Sequence, residues 1–322
     1  MERKIGIPGD LVHHDLVIPF SVNVPNLWHH TFMKIAELHA RGITGKGVAI
    51  AINDTGIIDH PLLPRPLASK DFTGSPSGVK DKQGHGSHCA GIALGRRGDD
   101  GRALGVAPDA ELLVAKVLGD NGSGSTTGIN AGRVLVAKEA ARLGFKNKLV
   151  ISESLGDGGG PPISADLQAF DEAYDEGAAI CVAALGNAGF NGVGRPGSYD
   201  RVCGVAALRE NGTRADYSSV GDPADLAAPG SNILSCNLSG GYTSMSGTSM
   251  ATPFIAGVMA LVIQHRQDIG LPALVGWRSW TQFWKDPRFV ADAGAPGHDP
   301  QYGWGIPQVH KIVDWMLNPQ GA

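Results

Sequence analysis

Two histidines, His85 and His88, stand three residues apart in QGHGSHCAGI (83–92), wrapped in glycines and followed by Cys89. A zinc helix places two histidines at i and i+4 with a third ligand nearby. Here there is neither HExxH nor a CxxC pair, so the spacing argues against zinc. A redox role for Cys89 lacks a resolving cysteine close in sequence. Nucleophilic catalysis fits better, because it needs a nucleophile, a base beside it, a carboxylate to orient the base, and donors for an oxyanion. Asp54 ends the strand-like run VAIAI and is followed by Thr55 and Gly56. His85 sits between two glycines, where the chain can turn into a helix. Ser249 lies in SGTSMATP ahead of an apolar helical run, at the end of a helix dipole that favours developing negative charge. Asn187, after the run AICVAA, has a side-chain N–H to offer the same oxyanion. Taken singly, each residue also reads as a loop cap or an N-cap. Together, with all four local contexts present, they are a much stronger signal than any one alone.

These residues sit in DTGI (54–57), GHGSHCAG (84–91), SLG (154–156), GN (186–187) and GTSMATP (247–253). The set resembles the signatures of the subtilisin-like serine peptidases, colinear from about Met33 to His265, and YGWG (302–305) is similar to the family's late glycine–aromatic turn. The order Asp, His, Ser is that family's own. The resemblance implies that Ser249 attacks the scissile carbonyl, His85 shuttles the proton, and Asp54 orients the imidazole. Asn187 and the Ser249 backbone N–H would then hold the oxyanion. It also implies an α/β fold, a three-layer α/β/α sandwich around a mainly parallel sheet. Peptide substrate would bind as a strand added between two edges, Gly122-Ser123-Gly124 and Ser154-Leu155-Gly156. Gly156, Ala184 and Gly197 are expected to line the P1 pocket, and Thr126 stands where many relatives place an aromatic wall for P4. His88 becomes a structural helix residue. Some relatives with a cysteine at the position of Cys89 are sensitive to mercurials. The chemistry requires no cofactor.

The sequence departs from the family pattern at Asn53, before Asp54, and at Glu153, before SLG, where relatives place apolar or small residues. A buried carboxylate needs partners. Two readings stand: Glu153 reaches a partner or water and only helps packing, or Asn53 and Glu153 hydrogen-bond beneath the site and tune access or P1 choice. HPLL (60–63) lacks an acidic residue that calcium would use, and Asp99 and Asp100 are surrounded by Arg96, Arg97 and Arg102. A second candidate site for a structural calcium is Asp225 with carbonyls near Asp200 and Val202, a site some relatives use.

The elements that must position these residues follow from hydrophobic patterning. Strands are predicted at 48–52, 112–117, 148–152, 179–184 and 202–207, alternating with helical segments at 129–144, at 164–177 with Ser164 as N-cap, and from about Ser249 onward. That is a parallel sheet with helices on its faces. A net charge of −4 without a basic block argues against nucleic acid as partner, and no apolar run is read as a membrane span. Residues 25–322 read as one peptidase domain. Residues 268–322 carry five of the six tryptophans; Trp277, Trp280 and Trp284 are expected to cover the core, with a homo-oligomer surface left open.

Residues 1–24 read as an extension outside that domain. They lack the apolar core of a secretory signal, and none of the four cysteines forms a CxxC pair, so a cytoplasmic location is predicted. Relatives of the cytoplasmic type carry a short extension with a Leu-Ile-Pro-aromatic motif across the active site. LVIPF (16–20) resembles it, implying that Ile18, Pro19 and Phe20 occupy the cleft in reverse or distorted register and are removed on activation. The reading is therefore a serine endopeptidase. A leader-processing or peptide-ligating relative, and a non-catalytic binding module, are its rivals.

Overall fold

The computed structural model describes residues 4–7, 12–18 and 24–317. In chain order its elements begin with β1 (Lys4–Gly6), β2 (Val12–Ile18), α1 (Trp28–Phe32), α2 (Ile35–Ala40), β3 (Ala49–Asp54), β4 (Ala68–Asp71) and α3 (His85–Leu94). There follow β5 (Glu111–Lys116), β6 (Ser123–Ser125), α4 (Thr126–Arg142), β7 (Leu149–Glu153), α5 (Ser164–Glu176), β8 (Ala178–Ala184) and β9 (Cys203–Leu208). Then come β10 (Leu226–Pro229), β11 (Ile233–Cys236), β12 (Tyr242–Ser246), α6 (Thr248–Asp268), α7 (Gly276–Trp284) and α8 (Val309–Leu317).

The central sheet has the order β10-β9-β8-β7-β3-β5-β4, and every neighbouring pair is parallel. Its inner strands are short runs of alanine and β-branched residues with no exposed face, as a doubly covered parallel sheet requires. Alternate residues point to opposite faces. Ile50, Ile52, Leu112 and Val114 join the apolar cluster that includes α3 and α6 residues, whereas Ala49, Ala51, Leu113 and Ala115 join the cluster that includes α4 and α5 residues. The phase of β3 therefore places Asp54 on the α3/α6 face and Asn53 on the α4/α5 face. Ser152 and Glu153 divide the same way on β7.

The predicted strands and helices are all present, shifted by one to three residues. Ser164 is the first helical residue of α5 and not its cap; Ile163 holds the cap position without a side-chain hydrogen bond. β4 escaped the sequence reading because ASKD has no apolar run. The reading that no segment could span a membrane is also corrected. α6 is long and apolar enough to do so, but its apolar window is buried inside the protein. Trp280 and Trp284 are buried against the core, with their rings stacked 5.8 Å apart.

Candidate active site

Asp54 is the last residue of β3, and its carboxylate meets Nδ1 of His85 through both oxygens, at 2.8 and 2.9 Å. Thr55 N–H donates to Asp54 Oδ1 at 2.7 Å, which fixes the carboxylate. Both residues are essentially without solvent exposure. Burial works against a charged imidazole, but the Asp54 carboxylate outweighs it and raises the pKa of His85 well above the ordinary 6.5.

His85 opens α3, and the helix start is held from outside the helix. The first N–H groups of a helix have no partner within it. Here His85 N–H donates to Gln83 Oε1, Gly86 N–H to Thr55 Oγ1, and Ser87 N–H to Asp81 Oδ2, at 2.8 to 2.9 Å. Asp81 is buried and also accepts from the Thr55 and Ser87 hydroxyls and from Gln83 and Gly84 N–H. The helix is thereby tied to the turn that follows Asp54. The approach is close: a Cβ on Gly86 would lie 2.5 Å from the Gly56 carbonyl, so only glycine fits.

Ser249 is the second residue of α6 and is buried. Its hydroxyl makes a long 3.5 Å contact with the Ser154 carbonyl, and His85 Nε2 has no hydrogen-bond partner among the described residues. The serine–histidine bond is thus open in this conformation, as is common before substrate tightens such sites. Pro253 explains a neighbouring detail. It has no N–H to return to the Ser249 carbonyl four residues back. That carbonyl instead accepts from Ser154 Oγ at 2.8 Å and from Cys89 Sγ at 3.5 Å. The missing helical bond is replaced by two bonds across the site.

Asn187 follows β8. Its Oδ1 accepts from both N–H and Oγ1 of Thr248 at 2.9 Å, which fixes the amide orientation and leaves Nδ2 without a partner among the described residues. An unpaired donor held beside Ser249 has the chemistry to hold an oxyanion.

Cys89 lies one turn after His85, with Sγ 3.9 Å from Nδ1, and burial pushes its thiol pKa up. Asp54, His85 and Cys89 offer donors within 4.8 Å of one another, but a metal there would have to displace the Asp54–His85 bond. His88 is not part of this group. Its Nε2 meets the Thr243 carbonyl, and burial drives its pKa down to about 3, which makes it a neutral structural residue.

The two cleft edges are brought together. β1 pairs antiparallel with β6, Ile5 opposite Gly124 and Gly6 opposite Ser123, and Ile7 N–H donates to the Gly122 carbonyl. On its other side Gly6 exchanges both backbone bonds with Gly156, at 2.9 and 3.2 Å. Ile5 is buried in the same cluster as Leu118, Ile129 and Leu155. It is therefore Lys4–Ile7, and not Ile18, that lies between the edges. Ile18 pairs with Tyr242 in the sheet β11-β12-β2, and Pro19 and Phe20 lie outside the described residues. The polar-and-glycine character of RKIGIPG hid this segment from a search for an aromatic motif.

A cavity of about 450 Å³ opens beside Asn187, bounded by Gly156, Ala184, Gly186, Val193 and Gly194. Gly197 does not line it. A Cβ there would lie 2.3 Å from the Ala184 carbonyl, so Gly197 packs behind the wall and Gly194 takes the expected place. At the cavity's edge Asp157 is neutralised by a two-point bond from the buried Arg195.

The calcium residues fare unevenly. The Asp200 side chain is paired with Arg201 at 2.6 Å, which leaves its main-chain carbonyl as the group to offer a cation. Asp225 is half-buried, its carboxylate accepts from Gly204 N–H alone among the described residues, and desolvation raises its pKa to about 7. Val202 precedes that same β9 segment. Such an under-satisfied carboxylate fits a hard cation. In the arginine-rich turn Asp100 is taken by Arg102, and Arg97 by Asp109.

Residues 45–305 match the sequence profile of the Peptidase_S8 group, described as the subtilase family. The chain belongs to the subtilase family. It is 38% identical over 245 residues to a thermostable alkaline protease of Halalkalibacterium halodurans, covering 76% of this chain and 64% of that protein. Subtilisin Savinase of Lederbergia lenta is 40% identical over 238 residues, 74% of this chain and 84% of the relative. Thermitase of Thermoactinomyces vulgaris is 37% identical over 246 residues, 76% and 80%. The chain therefore spans less than two thirds of the length of the alkaline protease, and residues 45–305, matched to the family, include Asp54, His85, Asn187 and Ser249.

Proposed function

We propose that this subtilase is a serine endopeptidase that cleaves peptide or protein substrates through an acyl-enzyme. The observation that carries the reading is the strand of chain bonded on both sides between Ser123–Gly124 and Gly156, next to the buried Asp54–His85 pair, Ser249 and the free Asn187 donor. The cleft holds an extended backbone as it would hold a substrate. The glycine- and alanine-lined cavity favours an apolar P1 side chain, because its one nearby carboxylate is already neutralised.

The same strand supports a second part of the proposal: residues 1–24 block the cleft until they are removed. Its direct evidence is Lys4–Ile7, and the role foreseen for Ile18, Pro19 and Phe20 passes to that segment. A reducing, cytoplasmic location is supported by the four free, buried cysteines. Asp225 with main-chain carbonyls near Asp200 and Val202 is proposed to hold a structural calcium.

Labelling by a fluorophosphonate, followed by peptide mapping, tests the nucleophile. Modification of Ser249 that is lost in His85→Ala is expected; absence of labelling in protein lacking residues 1–20 sinks the reading. Trimmed protein should cleave a tetrapeptide anilide at least tenfold faster than the full chain. Equal rates would end the case for blockage.

A further inference from the structure

The catalytic apparatus leaves unused a buried ionic network directly beneath it. Glu153 has no solvent exposure, and Arg133 is 1% exposed. Arg133 binds the Glu153 carboxylate at two points, Nε to Oε1 at 3.0 Å and Nη2 to Oε2 at 2.8 Å. Asn53 Nδ2 donates to the same Oε1 at 2.9 Å. The chain of contacts continues: Arg133 Nη1 donates to Asn130 Oδ1, Asn130 Nδ2 to Asp166 Oδ1, and the Tyr199 hydroxyl to Asp166 Oδ2. The guanidinium also lies over the Phe170 ring, 3.6 Å from its centre.

What matters is where these residues sit along the chain. Asn53 is bonded through the backbone to Asp54. Glu153 precedes Ser154-Leu155-Gly156, one edge of the cleft. Arg133 belongs to α4, whose first residue directly follows Ser123–Ser125, the other edge. Tyr199 N–H donates to the Pro196 carbonyl, two residues after the cavity residue Gly194, whose own carbonyl accepts from Ser198 N–H. One hydrogen-bonded network thus reaches the strand bearing the catalytic carboxylate, both substrate-binding edges and the back of the P1 wall. A buried ion pair is a poor source of stability compared with apolar packing, but its bidentate geometry is specific.

We infer that Arg133, Glu153 and Asn53 are positioning residues that set the spacing of the two peptide-binding edges, and so govern how much binding energy an extended substrate delivers. This rests on the reading of the cleft as a peptide site. Interactions along the remote part of a substrate act only if the edges hold it in register. An ester that fills P1 alone does not touch both edges and should not sense the network.

The experiment compares a P4–P1 tetrapeptide anilide with a single-residue P1 ester, using protein lacking residues 1–20. The test variant is the double apolar replacement Arg133→Leu/Glu153→Met, which leaves no unpaired buried charge. Its ratio of kcat/KM between tetrapeptide and ester is expected to fall about tenfold, through KM of the tetrapeptide, with ester turnover within twofold of the parent. An unchanged ratio in folded double variant overturns the inference. Should the double variant fail to fold, Asn53→Leu decides, since it leaves the ion pair whole; its ratio should fall at least threefold, and no change overturns the inference. The conservative Glu153→Asp with Arg133 present should keep part of the ratio that the apolar pair loses, which a loss of mere packing would not predict. If the parent hydrolyses neither substrate, the peptidase reading fails instead, so the two failures are distinct.

Discussion

His85 carries two opposing pressures in one side chain. Burial disfavours its charged form, and Asp54, bonded through both oxygens, favours it more strongly. A base must be neutral to take the Ser249 proton, so a raised pKa moves the acid limb of activity upward. The limb of kcat/KM is expected above pH 6.5, the ordinary histidine value. Asp54→Asn removes the charge that raises it, so the limb should move to lower pH while kcat drops by several orders of magnitude. A pH–rate profile of the residual activity checks the sign, and a limb that stays in place would show that Asp54 does not set the histidine's charge. Asn187 works without titrating. Thr248 holds its Oδ1, and the free Nδ2 is left for the substrate. Loss of such a donor costs about 10²–10³ in kcat, a figure that itself comes from a subtilisin.

At the scale of elements, α3 is held where it must be by its own unsatisfied N-terminus. Gln83, Thr55 and Asp81 take its first three N–H groups, and Thr55 directly follows the catalytic Asp54. Asp81→Ala would leave buried donors from Gly84, Ser87 and Thr55 without their acceptor, at a cost of about 3 kcal/mol for such charge-assisted bonds. Both the thermal midpoint and kcat are expected to fall, with KM for a P1 ester nearly unchanged. A variant that melts lower but keeps full kcat would separate the helix cap from catalysis. Asp81 shows where sequence reading stops. Asp54, His85, Asn187 and Ser249 stood out because each sits at a junction between an apolar run and a turn. Asp81 is an acidic residue in a loop like many others, and its bonds span segments far apart in the chain. Arg133 did leave a trace: it falls between Ile129 and Val136 on the buried stripe of α4, where a lone cation needs a partner. That partner, Glu153, is visible only once β7 lies under the helix. The cleft strand at Lys4–Ile7 left less, since its pairing uses backbone groups and any extended segment could supply them.

At the scale of the whole molecule, folding confines titratable groups away from water, and their effects on stability run in opposite directions. His29 and His88 are buried neutral, with pKa values near 3, so they bind fewer protons folded than unfolded. Their share of stability is present above pH 6.5 and is lost as pH falls toward 3. Asp225 runs the other way. Its pKa of about 7 exceeds the ordinary 3.8, so the folded chain holds a proton that the unfolded chain releases. Its contribution is favourable at low pH and is lost as pH rises from 3.8 through 7. A cation that binds the ionised carboxylate reverses that loss, because it binds the folded form and adds about 2.7 kcal/mol at a hundredfold excess over Kd. In Ser249→Ala protein, which cannot digest itself, calcium should therefore raise the thermal midpoint by several degrees at pH 8. The gain should shrink at pH 5.5, where Asp225 keeps its proton. Asp225→Asn should melt at or above the parent in chelator at pH 8, since the amide has no charge to desolvate, and should gain nothing from calcium. Equal calcium shifts in parent and Asp225→Asn would place any bound ion elsewhere in the fold.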